Sequence, residues 1–117
     1  MKTFLFIDDD ARFLKSMERI FMSWQNVIFA ECHDTEAAML AIQTHNPDVI
    51  FLDHELTEGG DEGLRIAISV LKSRNHVKIY STTGRYDMIE VYEKSLGIKW
   101  IDKYAPIYEF KKIILSH

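Results

Sequence analysis

At 117 residues the chain has the size of one domain and is long enough to bury a hydrophobic core. A hydrophobic fraction of 47% with 27% charged residues is ordinary for a soluble globular protein, and at a formal charge of −4 the scattered Lys and Arg form no stripe for nucleic acid. The single cysteine, Cys32, excludes an internal disulfide and a cysteine-based zinc site. No run approaches the roughly 18 apolar residues of a membrane span, and the first apolar run meets acid too soon for a signal peptide, so a soluble, cytoplasmic protein is expected.

The first apolar run, Phe4-Leu5-Phe6-Ile7, has no alternation and reads as a strand buried on both faces. A helix is predicted over about 11–24, with Phe13, Leu14, Met17, Ile20, Phe21 and Trp24 at helical spacing and Asp10 as its cap. A second strand is predicted over 26–32, ending on a buried Cys32. Asp34 is placed to cap a second helix that packs through Ala37, Ala38, Leu40, Ala41 and Ile42 and stops before Asn46-Pro47. The third strand, 48–52, runs into Asp53.

A loop over 54–61 follows, carrying Gly59-Gly60, with His54 and Glu55 read as exposed loop residues. A third helix packs through Leu64, Ala67, Ile68 and Leu71. A fourth strand over 77–80 exits through Ser81-Thr82-Thr83-Gly84. A fourth helix runs from about Tyr86 to Leu96, with Gly97 in the position that ends helices. A fifth strand over 98–101 and a last helix opened by Pro106, holding Phe110, Ile113, Ile114 and Leu115, complete the pattern. His33, His45, His76 and His117 show no ligand spacing and read as surface or cap residues, and the methionines as core filler. Strict β–α alternation with short connections implies a parallel sheet covered by helices on both faces.

In such sheets ligands gather outside the carboxyl ends of the strands. Adjacent first and third strands would bring Asp8, Asp9 and Asp53 together there. Clustered carboxylates resist joint ionisation unless a cation neutralises them, which points to a divalent metal site.

With five β–α units and these residues at its strand ends, the whole chain resembles the CheY-like receiver domains of bacterial two-component response regulators. The resemblance implies a flavodoxin-like (βα)5 three-layer sandwich with strand order 2-1-3-4-5, forming a single receiver domain over residues 1–117. It implies that Asp53 accepts a phosphoryl group from a sensor histidine kinase or phosphotransfer protein. Asp8 and Asp9 then match the acidic pair that binds Mg2+, alongside Asp53 and the backbone carbonyl of Glu55. Ser81 matches the hydroxyl residue ending the fourth strand, Lys103 the lysine ending the fifth, and Trp100 a switch aromatic. Such a domain catalyses only its own phosphorylation and dephosphorylation. With the chain ending at its fifth helix, output is expected through a partner surface of helix four, strand five and helix five; the resemblance also admits a homodimer.

Two departures from the family pattern stand beside the site. Receivers usually follow the lysine with proline, where this chain has Tyr104 and delays proline to Pro106. The loop after Asp53 lacks the usual Met-Pro and reads as two residues longer, through Asp61-Glu62-Gly63. Two other readings stand open on the sequence. One is a degenerate receiver that binds partners without phosphorylation. The other is a small haloacid dehalogenase-like phosphatase using Asp8-x-Asp10, against which Arg12 occupies the position of an expected threonine or valine.

Overall fold

The computed structural model describes residues 1–56 and 60–117. Five strands alternate with five helices: β1 Phe4–Asp8, α1 Ala11–Ile20, β2 Val27–Glu31, α2 Thr35–His45, β3 Val49–Leu52, α3 Glu62–Ser73, β4 Lys78–Ser81, α4 Tyr86–Glu90, β5 Lys99–Trp100 and α5 Ile107–Ser116. The strands form one parallel sheet in the order β2-β1-β3-β4-β5, the expected flavodoxin-like arrangement. Every residue of β1 and β3 is buried, which explains their unbroken apolar runs. Among the described residues no helix is long and apolar enough to cross a membrane.

The sheet separates two different cores. Beneath α2, α3 and α4 the packing is mostly aliphatic, from Leu5, Ile7, Ile50, Leu52, Ile66 and Val70, and Cys32 is buried there. Beneath α1 and α5 it is aromatic. Phe29, Phe6, Phe51 and Tyr80 are register neighbours on four successive strands, and their rings stack at 5.1, 4.4 and 5.4 Å. Such in-register aromatic pairs add to sheet stability beyond their burial.

The helix ends follow local chemistry. Asp10 caps α1 by accepting from the N–H groups of Arg12 and Phe13, and Asp34 caps α2 through Ala37. Asn46 ends α2 in the left-handed region at φ 44°, and Gly97 closes the fourth helical segment at φ 66°, a conformation that favours glycine.

Several expected boundaries move. Helix α1 stops at Ile20 because Phe21 caps it. Hydrogen bonds from Trp24 N–H to Phe21 and from Val27 N–H to Trp24 then turn the chain toward β2. Trp24 packs edge-on against Phe21 from that turn, so its apolar character reflects contact rather than helix. Ile20, Met22 and Leu115 are exposed, as is Leu40 at 63%, while Met17 is a core residue. In α3 the buried face is Gly63, Ile66, Ala67 and Val70, one step from the expected stripe, with Leu64 and Leu71 at its margin. The fourth helix is not α-helical throughout: after Glu90 it widens into a π-helical turn over Val91–Ser95.

Candidate functional site

Parallel pairing brings the carboxyl ends of β1, β3, β4 and β5 to one edge. The last residues of β1 pair with Glu31 and Leu52, so the chain leaves β1 at Asp8 beside the exit of β3 into Asp53. One carboxylate oxygen from each of Asp8, Asp9 and Asp53 lies within 4.8 Å of the other two. Asp8 is 1% exposed and Asp53 9%. Lys103 reaches in from the segment after β5, with Nζ 2.9 Å from Asp8 Oδ1, 3.7 Å from Asp10 and 3.9 Å from Asp53 Oδ2. Its ammonium also lies 5.0 Å from the centre of the Phe13 ring.

Burial and crowding set the charge balance. Burial, then the neighbouring charge of Asp8, push Asp53 up to about 7, although Lys103 and the His54 N–H oppose them. Asp8 is raised as well, chiefly by burial, against its hydrogen bonds from the Asp10 N–H and Lys103. Burial pulls Lys103 down, but the hydrogen bond to Asp8 and the charges of Asp8 and Asp53 outweigh it, so the ammonium holds its proton above the ordinary lysine range. Among the described residues, the Lys103 ammonium is shared by the carboxylates of Asp8, Asp10 and Asp53. Among the same residues, Asp8 Oδ2 is buried with no hydrogen-bond partner, a cost that a bound cation would remove. An all-oxygen donor set of this kind suits a hard ion such as Mg2+.

The backbone of the site is held from below by α3. A Cβ built on Gly63 would lie 2.3 Å from the Asp53 carbonyl oxygen and 2.6 Å from His54 Cα, so only glycine allows this approach. The Gly63 N–H donates to the His54 carbonyl at 2.8 Å. Thr57, Glu58 and Gly59, on which the longer-loop reading falls, lie outside the described residues.

A cleft of about 340 Å³ opens over the carboxylates, lined by Asp9, Asp53, Glu55, Leu56, Thr83, Gly84, Arg85, Lys103 and Tyr104. Its rim is charged and exposed. Arg85 pairs with the Glu55 carboxylate on one side and with Asp87 at 2.8 Å on the other, joining the loop after β3 to the start of α4. Ser81 is buried at the end of β4 in register with Leu52, its hydroxyl 3.5 Å from the Thr83 N–H, and the threonine facing the cleft is Thr83. The Trp100 indole N–H donates to the Thr83 carbonyl at 2.9 Å, and Tyr86 packs edge-on against the indole.

The residue after Lys103 uses what a proline lacks. The Tyr104 N–H donates to Asp102 Oδ1 at 2.9 Å and the Ala105 N–H to the Asp102 carbonyl at 3.0 Å, so an Asp-centred turn orders the segment.

Of the residues read from the sequence, Asp8, Asp9, Asp53 and Lys103 converge, and Glu55 lies on the same cleft. His54 does not fit the expectation of an exposed loop residue. It is 2% exposed, because its ring turns down to the Tyr92 hydroxyl instead of out to solvent. Arg85 and the His54–Tyr92 pair carried no sequence signal, since each depends on how distant segments meet at the sheet edge.

A model of the response regulator receiver domain matches residues 4–103. No curated protein matches the sequence. Solved structures share the fold. The response regulator protein TrrA from Thermotoga maritima, in complex with Mg2+–BeF, is 23% identical with a TM-score of 0.76 over 99% of this chain and 98% of that one. The CheY-like receiver domain protein from Methanospirillum hungatei JF-1 is 20% identical, with a TM-score of 0.82 over 99% and 92%. The N-terminal domain of an uncharacterized protein from Wolinella succinogenes is 18% identical, with a TM-score of 0.83 over 99% and 93%. The family match spans most of the chain, including the strand ends that bear the carboxylates, and the chain belongs to the response regulator receiver domain family of two-component signalling.

Proposed function

We propose that this receiver domain, a single unit over residues 1–117, takes a phosphoryl group onto Asp53 from a sensor histidine kinase or phosphotransfer protein. The observation that carries this reading is the Asp53 carboxylate, nearly buried, open to the cleft, and within 3.9 Å of an ammonium while crowded by two other acids. An Asp53 oxygen would attack phosphorus as the donor's phosphorus–nitrogen bond breaks, and the imidazole would leave. Asp8 and Asp9, with Asp53 and the Glu55 carbonyl, would hold Mg2+. When bound, Mg2+ supplies positive charge against the phosphoryl oxygens.

The chain's own residues do the remaining work. Asp53 must be ionised to attack. Burial and the charge of Asp8 raise its pKa to about 7, and added positive charge would favour the ionised form further. Lys103 contributes part of that charge and is placed to move from the carboxylates to a phosphoryl oxygen. Ser81, at the end of β4, would donate its hydroxyl to the phosphoryl group. A pull on Ser81 would reach Thr83 and, through its carbonyl, the Trp100 indole. The face of α4, β5 and α5, where Tyr86 and Tyr108 are exposed and Trp100 is half-buried, would then present the state to a downstream protein or a second copy. Phosphatase chemistry at Asp8 is not favoured, since Asp8 is sealed against Lys103 and Asp10 is occupied capping α1.

The test is intact mass after incubation with Mg2+ and acetyl phosphate. Wild type should gain one phosphoryl group, and Asp53→Asn or omission of Mg2+ should abolish the gain. Wild type that stays unmodified would overturn the reading.

A further inference from the structure

Tyr92 is the largest side chain sealed in the core, at 1% exposure, and its hydroxyl is a polar end inside the aliphatic layer. That hydroxyl lies 2.7 Å from Nδ1 of His54, with the two rings edge-to-face at 5.6 Å. His54 directly follows Asp53 and is tied at three points. Its ring meets Tyr92, its N–H donates to Asp53 Oδ1 at 3.0 Å, and its carbonyl accepts the Gly63 N–H. The residue that anchors the imidazole on Tyr92 is thus the same one whose N–H holds the acceptor carboxylate.

The place of Tyr92 in its helix adds a second observation. It sits in the π-helical turn Val91–Ser95, directly after the α-helical residues of α4. Such single turns are uncommon and recur at functional sites, because one inserted residue re-aims the side chains that follow by about 100°. Here the widened turn carries the one side chain of that segment that is buried. The turn is closed by hydrogen bonds from Gly97 N–H to Glu93 and from Ile98 N–H to Tyr92, so its position is also tied to the entry of β5.

We propose that Tyr92 is a positioning residue for Asp53: through the His54 imidazole it fixes the backbone N–H that orients the acceptor carboxylate, and it carries changes at that carboxylate into the π-turn after α4. This rests on Asp53 as the phosphoacceptor. Coupling of this kind is reciprocal, so perturbing either end should be felt at the other. The path runs through the buried aliphatic layer by its own contacts, from Asp53 through His54 to Tyr92, and does not pass through the Ser81–Thr83–Trp100 hydrogen bonds.

Two experiments decide it. In the first, the rate of phosphorylation by acetyl phosphate with Mg2+ is followed against acetyl phosphate concentration, with Tm measured for each protein. Tyr92→Phe should lower the limiting rate by about tenfold, the cost of one misplaced hydrogen bond, with the half-saturating concentration unchanged. His54→Asn, which keeps a hydrogen-bonding atom near the place of Nδ1, should retain most of the rate. The double variant His54→Leu/Tyr92→Phe removes both polar partners, so Tm should recover while the rate should not. A rate that recovers together with Tm would mean that the pair is merely structural and would overturn the proposal.

The second experiment needs no phosphorylation. Amide hydrogen exchange over 86–96 is compared between wild type and Asp53→Ala, and again with Tyr92→Phe in both. Removing the acceptor carboxylate should change exchange in the π-turn by about fivefold or more when Tyr92 is present, and hardly at all without its hydroxyl. Equal exchange in wild type and Asp53→Ala would overturn the proposal. Wild type that fails to take phosphate would refute Asp53 as acceptor, and the exchange cycle would still decide whether Tyr92 and Asp53 are coupled.

Discussion

The floor of the cleft and its rim are built from the same kinds of residue, acids and one base each, yet their physics differ. On the floor, Asp8, Asp53 and Lys103 are buried and their charges shape one another. At the rim, Glu55, Arg85 and Asp87 form closer pairs in the open, where water and salt screen them. Short distance therefore does not rank these interactions; burial does. The floor stores unfavourable charge that a ligand can relieve, and the rim can be rearranged at little cost.

The backbone contact under the floor should break the molecule most severely. Gly63→Ala drives a methyl group into the Asp53 carbonyl and His54 Cα, both backbone atoms of a buried strand exit. The gain in helix propensity, about 1 kcal/mol, cannot offset a clash of that depth. Urea unfolding should show a loss of about 3 kcal/mol or more, or no folded protein. Gly84→Ala is the rim counterpart, with no atom within 4 Å of the added carbon, and should leave the midpoint unchanged or slightly higher. Equal effects at the two glycines would end the distinction between floor and rim.

The charges of the floor come next. Asp53 has a pKa of about 7 in the fold against an ordinary value of 3.8, so between those values the native state holds a proton that the unfolded chain has released. Stability conferred by that proton is complete below about pH 4 and is lost as the pH rises through 7. Without metal, wild type should therefore lose roughly 2 kcal/mol relative to Asp53→Asn between pH 5 and pH 8. Urea midpoints of the two proteins across that range provide the measurement. A constant difference would show that Asp53 is ionised throughout and that burial does not dominate its environment.

What could be read from the sequence divides along a similar line. The buried strands Phe4 to Ile7 and Val49 to Leu52 were legible because burial on both faces leaves an unbroken apolar run, and the acids at their ends followed from the strand order. Caps at Asp10 and Asp34 were legible because their chemistry is local. The end of α1 was not, since Trp24 keeps helical spacing while packing on Phe21 from a turn. Leu40 and Leu115 misled because an apolar side chain need not be buried. His54 was beyond reach for another reason: its burial depends on a hydroxyl 38 positions away, presented by a π-turn that apolar spacing does not announce.

The rim should give the smallest effect on stability and the most salt-sensitive effect on function. Arg85 bridges Glu55 and Asp87 but is well exposed, so Arg85→Ala should leave Tm within about 3 °C of wild type. The same guanidinium lines the cleft over Asp53, where it adds positive charge on the approach of an anionic phosphodonor. Its loss should slow phosphorylation at subsaturating acetyl phosphate by about threefold at low ionic strength. The gap should close as salt rises and the Debye length shrinks toward about 3 Å at 1 M. A salt-independent loss would place Arg85 in contact with the transferred group, making it part of the floor's chemistry in spite of its exposure. A loss of stability comparable to that of Gly63→Ala would show instead that the bridge from Glu55 to Asp87 holds the β3 exit in place.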